Sequence, residues 1–436
     1  KPAPPNPCAS GACASNVLFL PGIEASRLYA GVGCGGTDGE KLWEPLGESI
    51  VRILRGAGNE KVRKLFLNSA GESVCNDIYA KEGDIIGTVG GSSIYQSFID
   101  GMDGLVSDGT INGWKAAAYD WRLSLADLLN KGTERGGKIF YGEATSTPYI
   151  KQTLRTLAAS SKTGKVTLVT HSNGGLVAKA LLNQLGNETS KSLVDKVVMV
   201  GVPQSGAPIA VGALLYGYDQ GISFHGIPIL HSDIARSLAE NSPMAYHLLP
   251  SEDYLESTAG DAAHPVARFA GTAYARELSA YGATIANRVA LENFLLASTT
   301  LSAPLISYAN NQHAALDFWT PPEGIEVIQV AGWGVDTVAG IDFYTPPPVS
   351  VASALEPIRA YRPFFIEDGD GTVPVPSALM MASSTDVKRY WLNLDSYFRA
   401  TSIKRNHKNL FEIPSLEDFI KNIIKIIVKL TNDQKI

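Results

Sequence analysis

Nowhere in the 436 residues is there a run of about 20 uncharged apolar residues, the length a helix needs to cross a bilayer, so a polytopic membrane protein is excluded. A basic excess is missing too. There are 37 Lys+Arg against 43 Asp+Glu, a net charge of −6, whereas a nucleic-acid binder normally carries a basic face that neutralises phosphates. No heptad series, Gly-X-Y period or repeat of roughly 20–50 residues occurs, which removes coiled coils, collagen and solenoids. Cysteine is scarce and confined to Cys8, Cys13, Cys34 and Cys75. These make no paired Cys-x-x-Cys pattern of the zinc type, and no metal site is expected. The even, clustered set fits two disulfides, with three connectivities open. Cys8–Cys13 and Cys34–Cys75 are favoured because each closes a loop that reads as irregular. The polar, Pro-rich Lys1–Pro7 has no initiator Met and is like the first residues left by signal-peptide removal. With the disulfides it leads to the expectation of a secreted protein, extracellular or periplasmic.

What is present is a foldable composition, 45% hydrophobic and 18% charged. Asn16–Leu20 reads as a short apolar strand ended by Pro21-Gly22. From Ala30 to Lys81 the chain is Gly-rich and broken by turns, and reads as a lid-like excursion. Trp114–Tyr119 is a second strand. Tyr149–Ser160 has helical spacing at Ile150, Leu154 and Leu157. Lys165–Thr170, a helix over Leu176–Leu185 capped by Gly186, and Val194–Val202 follow one another as strand, helix, strand. That rhythm implies a parallel sheet with right-handed crossovers. It is lost from Gly206 to about Pro321, a stretch expected to be mainly helical. Strands return at Ile325–Ala331 and Val387–Leu394. A terminal helix is expected over Ser415–Leu430, with a capping box from Ser415 and Asp418. Its apolar face would carry Leu416, Phe419, Ile420, Ile423, Ile424 and Ile427, beside a solvated edge of Lys421, Lys425 and Lys429. The expected division is a core from 1–205 and 323–436 with a helical cap inserted at 206–322.

Thr170-His171-Ser172-Asn173-Gly174 lies between a buried strand and a helix, the place of a nucleophile elbow. The turn there is so tight that residues two before and two after the serine must be small. Gly174 satisfies this, and Thr170 is a mild departure. A serine hydroxyl needs a base. In an α/β hydrolase the chain order is Ser, then acid, then His. His171 adjoins the serine and would point elsewhere. His225, His231, His247, His264 and His313 lie in the cap stretch, which leaves His407, a short segment after the last strand. Asp368 and Asp370, in the turn Asp368-Gly369-Asp370-Gly371-Thr372-Val373-Pro374, are equal candidates for the acid on these grounds. The N–H groups of Ile23 and Asn173 are the candidate oxyanion donors, and Gly22 would let the chain approach the substrate closely.

Taken together, Leu20-Pro21-Gly22, Tyr119-Asp120-Trp121-Arg122, the Ser172 elbow, Val202-Pro203 with Ser205-Gly206, and Asp368-Gly369-Asp370-Gly371-Thr372-Val373 resemble the lecithin:cholesterol acyltransferase family of α/β hydrolases. The resemblance implies Asp370 as the acid and Ile23 as an oxyanion donor. It also implies a disulfide-bounded early lid near a tryptophan, which Cys34, Trp43 and Cys75 resemble. The implied activity is lipid-ester cleavage through Ser172, Asp370 and His407, with no cofactor. The expected partners are a lipid or ester substrate and transient contact with a lipid interface, and the segment Ala239–Ser251 with Tyr254 offers an acyl-binding wall. Other readings are a phospholipase or acyltransferase using the same residues, a polyester depolymerase, and a catalytically silent lipid-binding protein.

Overall fold

A computed structural model describes residues 13–46, 52, 56–224, 227–258, 265–298, 301–348, 358–382 and 386–425. Six strands form the central sheet: β1 (Asn16–Leu20), β2 (Trp114–Ala116), β3 (Val166–His171), β4 (Val194–Val200), β5 (Glu326–Trp333) and β6 (Val387–Asn393). Their order is β6-β5-β4-β3-β1-β2 and every pairing is parallel. All six residues of β3 are buried. A continuous β-branched and apolar run is what a strand covered on both faces requires.

The helices behind the sheet follow from their patterns. Tyr149–Ser160 buries Tyr149, Ile150, Thr153, Leu154, Leu157 and Ala158, a stripe at helical spacing. Gly174–Leu185 is buried all round its first nine residues and packs on β1, β3 and β4. It ends at Gly186, whose φ is 74°. Lys179 on this helix is fully enclosed and donates to the Leu316 carbonyl at 2.7 Å, tying the helix to Ala303–Leu316. Burial pulls its ammonium down to about 7, partly offset by Asp317.

The excursion after Ala30 is more ordered than its turn-rich sequence suggests. Ser26–Ala30, Glu40–Trp43 and Ile78–Ile85 join Thr133–Arg135 and Lys138–Phe140 in a five-stranded antiparallel sheet. Cys34 and Cys75 are disulfide-bonded across it. Of the expected Cys8–Cys13 pairing, Cys8 lies outside the described residues and Cys13 is disulfide-bonded. Residues 206–322 hold seven α-helices and a 3-10 helix among the described residues, but a further sheet joins positions on both sides of 322. It runs Thr284–Ile285, Ala267–Ala270, Thr337–Tyr344, Ala360–Ile366. Sequence patterning missed its last strand because Pro363 interrupts it. That strand is at the sheet edge, where a missing N–H is tolerated.

The terminal helix is Pro414–Lys425, with Leu416, Ile420, Ile423 and Ile424 buried. Phe419 packs edge-on against Tyr390 at 4.7 Å, and Lys421 pairs with Glu417. Ser415 lies inside the first turn, so the expected capping box does not form; Pro414 opens the helix, where its fixed φ suits the first position. Ile427 and Lys429 lie outside the described residues. Among the described residues no helix is long and apolar enough to cross a membrane.

Candidate active site

The chain leaves β1 toward β2 on one side and returns to β3 on the other. The order therefore switches between β1 and β3, and α/β sheets bind ligands in the crevice at such a switch. Pro21-Gly22 leaves β1 there, and Ser172 follows β3. Ser172 has φ 50°, a left-handed conformation that costs a non-glycine residue about 1–3 kcal/mol. Its N–H is held by the Val200 carbonyl at 2.9 Å. Thr170 fits because its hydroxyl donates to the Val198 carbonyl at 3.1 Å, which satisfies the extra polar atom.

The tightness of the elbow is set by Gly174. A Cβ there would lie 2.1 Å from the Leu20 oxygen and 2.7 Å from the Pro21 oxygen, both backbone atoms. Gly174→Ala is therefore expected to displace the Pro21-Gly22 loop and to cost about 1–3 kcal/mol or more. Urea unfolding midpoints check this, and a midpoint equal to wild type would refute the crowding. Gly22 approaches Ser172 in the same way, since a Cβ on it would be 3.1 Å from the serine Cβ.

Three predicted residues converge on this point. His407 Nε2 is 2.8 Å from Ser172 Oγ, and His407 Nδ1 is 2.7 Å from Asp370 Oδ2. All three are buried. The second Asp370 oxygen accepts the N–H groups of Thr372 at 3.1 Å and Val373 at 2.8 Å. The Asp370 carbonyl accepts the His407 N–H at 2.7 Å, so main chain as well as side chain fixes the imidazole. It is Asp370, not Asp368, whose carboxylate meets the histidine. Among the described residues the N–H groups of Ile23 and Asn173 meet no acceptor, although both flank the serine.

His171 was expected to point away from the site. It is fully enclosed beneath it: Nδ1 is 2.6 Å from the Tyr95 hydroxyl, and Nε2 is 2.9 Å from the His407 carbonyl oxygen. Burial first, and the neighbouring His407 second, hold it well below the ordinary imidazole range. Nothing in the sequence marked Tyr95.

The Tyr119-Asp120-Trp121-Arg122 motif is the scaffold of the mouth. Tyr119 donates to the Pro21 carbonyl at 2.6 Å, and the Trp121 indole to the Ser26 carbonyl at 3.1 Å. Asp120 and Arg122 form a fully buried pair, with Nε–Oδ1 at 2.8 Å and a second contact at 2.5 Å. Arg122 also donates to the Leu65 carbonyl at 2.6 Å, and its own carbonyl accepts from Ser242 at 2.8 Å. Three chain segments, at 21–26, 65 and 242, are thus tied to this one motif.

Ser172 and His407 open onto a cavity of about 570 Å³, within the range of ligand pockets. One wall is apolar, from Ile209, Ala213, Leu214, Leu238, Ala245 and Leu248. Of the expected acyl wall, Ala239, Ser242, Ala245 and Leu248 reach the cavity, while Tyr254 is buried in the hydrophobic cluster against which that wall packs. Glu24, Asp219 and Lys408 supply charge to the lining. Loss of solvent contact pushes the Glu24 carboxyl up to about 7; Lys408 opposes the shift and Asp219 adds to it. Among the described residues no group of three or more His, Cys, Asp and Glu is placed to hold a metal ion.

A parallel sheet with its order switching beside a strained strand–turn–helix serine, and a histidine and an aspartate supplied after later strands, defines an α/β-hydrolase fold. The family model described as Lecithin:cholesterol acyltransferase matches residues 87–277, so the resemblance read from the motifs holds over that span. The span includes Tyr119–Arg122 and Ser172 but neither Asp370 nor His407. It supports chemistry on lipid acyl esters, as hydrolase or acyltransferase. Among solved structures the chain is similar to one from "The crystal structure of Tle4-Tli4 complex", at 15% identity and TM-score 0.49, over 95% of this chain and 98% of that one. No curated protein matches the chain.

Proposed function

We propose that this protein is a serine hydrolase that cleaves carboxylic esters of lipids through an acyl-enzyme. The observation that carries the reading is the continuous hydrogen-bonded chain from Ser172 Oγ through His407 to Asp370, opening on an apolar cavity. Ser172 Oγ attacks the ester carbonyl while His407 Nε2 takes its proton. Asp370 keeps the proton on Nδ1 and stabilises the imidazolium. The N–H groups of Ile23 and Asn173 donate to the oxyanion. His407 then protonates the leaving alcohol. Water repeats the sequence in reverse to release the acid. In this reading residues 206–322 cap the acyl-binding wall, residues 30–81 form the lid-like excursion, and the Cys34–Cys75 disulfide suits secretion.

The test is hydrolysis of a chromogenic ester series from about two to sixteen carbons, the longer members being the ones the apolar wall favours. Asp370→Asn is expected to lower kcat by about 10³–10⁴-fold, because the amide no longer selects the imidazole tautomer. Asp368→Asn should keep most of its turnover. The reverse ranking would reject the assignment of the acid. The family match favours acyl transfer to an alcohol as the second reading. An added alcohol that diverts acyl product from free acid to ester would select it.

A further inference from the structure

Two buried tyrosines grip the two ends of one peptide group beside Ser172. The Tyr119 hydroxyl donates to the Pro21 carbonyl at 2.6 Å, and the Gly22 N–H donates to the Tyr95 hydroxyl at 3.3 Å. That carbonyl and that N–H belong to a single planar unit with no soft internal torsion. Holding both ends sets its plane. Only the φ and ψ of Gly22 then separate this plane from the next one, which carries the Ile23 N–H.

Each tyrosine is also tied to a residue flanking the serine. Asn173 Nδ2 donates to the Tyr119 hydroxyl at 3.4 Å. The Tyr95 hydroxyl meets His171 Nδ1 at 2.6 Å. The direction of this second link follows from the far side of the ring. The His407 carbonyl 2.9 Å from His171 Nε2 only accepts, so Nε2 carries the proton. The neutral ring then offers Nδ1 as acceptor, and Tyr95 donates to it. The His171 and His407 rings lie 4.8 Å apart, so a neutral His171 spares the imidazolium a like charge. Phe411 closes the assembly, edge-on to both Tyr95 and His171.

We propose that Tyr95 and Tyr119 are positioning residues that hold the Ile23 amide at its oxyanion-binding angle, and that His171 locks this clamp to the backbone of His407. The inference rests on the serine-hydrolase reading. In the free protein the clamp orients a donor in advance of the charge it will meet, which is where electrostatic preorganisation acts. His171 moves no proton in this scheme.

The test uses Tyr95→Phe and Tyr119→Phe in the full chain, which keep the rings and delete one hydroxyl each. Each variant is expected to lower kcat about 10–100-fold with KM within about threefold, the pattern of an interaction realised in the transition state. Binding of a long-chain trifluoromethyl ketone, which forms a charged tetrahedral adduct on the serine, should weaken by the same factor as kcat/KM. Binding of the corresponding alkyl amide should not follow. His171→Leu should behave like the tyrosine variants, and His171→Gln, which retains a donor, should recover part of the lost kcat. Unchanged kcat and ketone affinity would overturn the proposal, as would parallel losses of ketone and amide binding. Ser172→Ala run alongside separates the two readings. If it turns over like wild type, the hydrolase reading fails. If it is inactive while both tyrosine variants match wild type, only the clamp fails.

Discussion

Replacing Ser172 by alanine is expected to lower ester turnover by roughly three to six orders of magnitude while leaving the fold intact. The hydroxyl oxygen forms the bond to the acyl group in the proposed mechanism, and among the described residues no other side chain is hydrogen-bonded to His407 Nε2. The turnover that remains would come from substrate binding and the Ile23 and Asn173 amides acting on bound water. Stability should change little, because the left-handed backbone at 172 is kept and the side chain loses one atom at the cavity edge. The decisive measurement pairs kinetics with covalent labelling. A fluorophosphonate should add once to wild type, at Ser172, and not at all to the variant. Labelling of the variant at the wild-type rate would remove Ser172 from the mechanism.

Asp120→Ala is expected to be the most damaging single change to stability, at about 3–5 kcal/mol. The variant leaves the Arg122 guanidinium charged and enclosed, with only the Leu65 carbonyl and the Ser73 hydroxyl as partners among the described residues. Coulomb attraction between the pair does not by itself make it valuable, since desolvation offsets much of that gain. The damage comes from stranding one charge. The double change Asp120→Ala with Arg122→Met should therefore be less destabilised than Asp120→Ala alone. Urea midpoints of the three proteins check the ordering. A single variant as stable as wild type would mean that water reaches the guanidinium. Because Tyr119 and Trp121 lie on either side of the aspartate, activity is expected to fall along with stability.

The legible part of the fold was the part with local causes. The continuous apolar run of β3 and the stripe of Tyr149–Ser160 depend on neighbours a few residues away, and periodicity reports them. Strands without such a pattern were missed. Ala360–Ile366 carries a proline, and its pairing partner Thr337–Tyr344 is separated from it by more than a turn's length of chain. The strand order around the excursion at 30–81 is hidden for the same reason, because Ile78–Ile85 pairs with Lys138–Phe140, far along the chain.

The site divides along the same line. Residue chemistry, chain order and the small residues around Ser172 were enough to single out Ser172 and His407 as candidates and to reduce the acid to Asp368 or Asp370. Those are properties of short segments, where a tight turn demands glycine and a hydroxyl demands a base. Which carboxylate meets the imidazole, where His171 points, and why Tyr119, Asp120, Trp121 and Arg122 occur together were decided by the tertiary structure. Each depends on hydrogen bonds between groups tens to hundreds of residues apart, such as the 2.9 Å contact from His171 to His407 and the 2.6 Å contact from Tyr119 to Pro21. Bonds of that kind form only where the sheet brings the ends of β1, β3 and β4 to one edge, and no local pattern encodes which strand ends will meet.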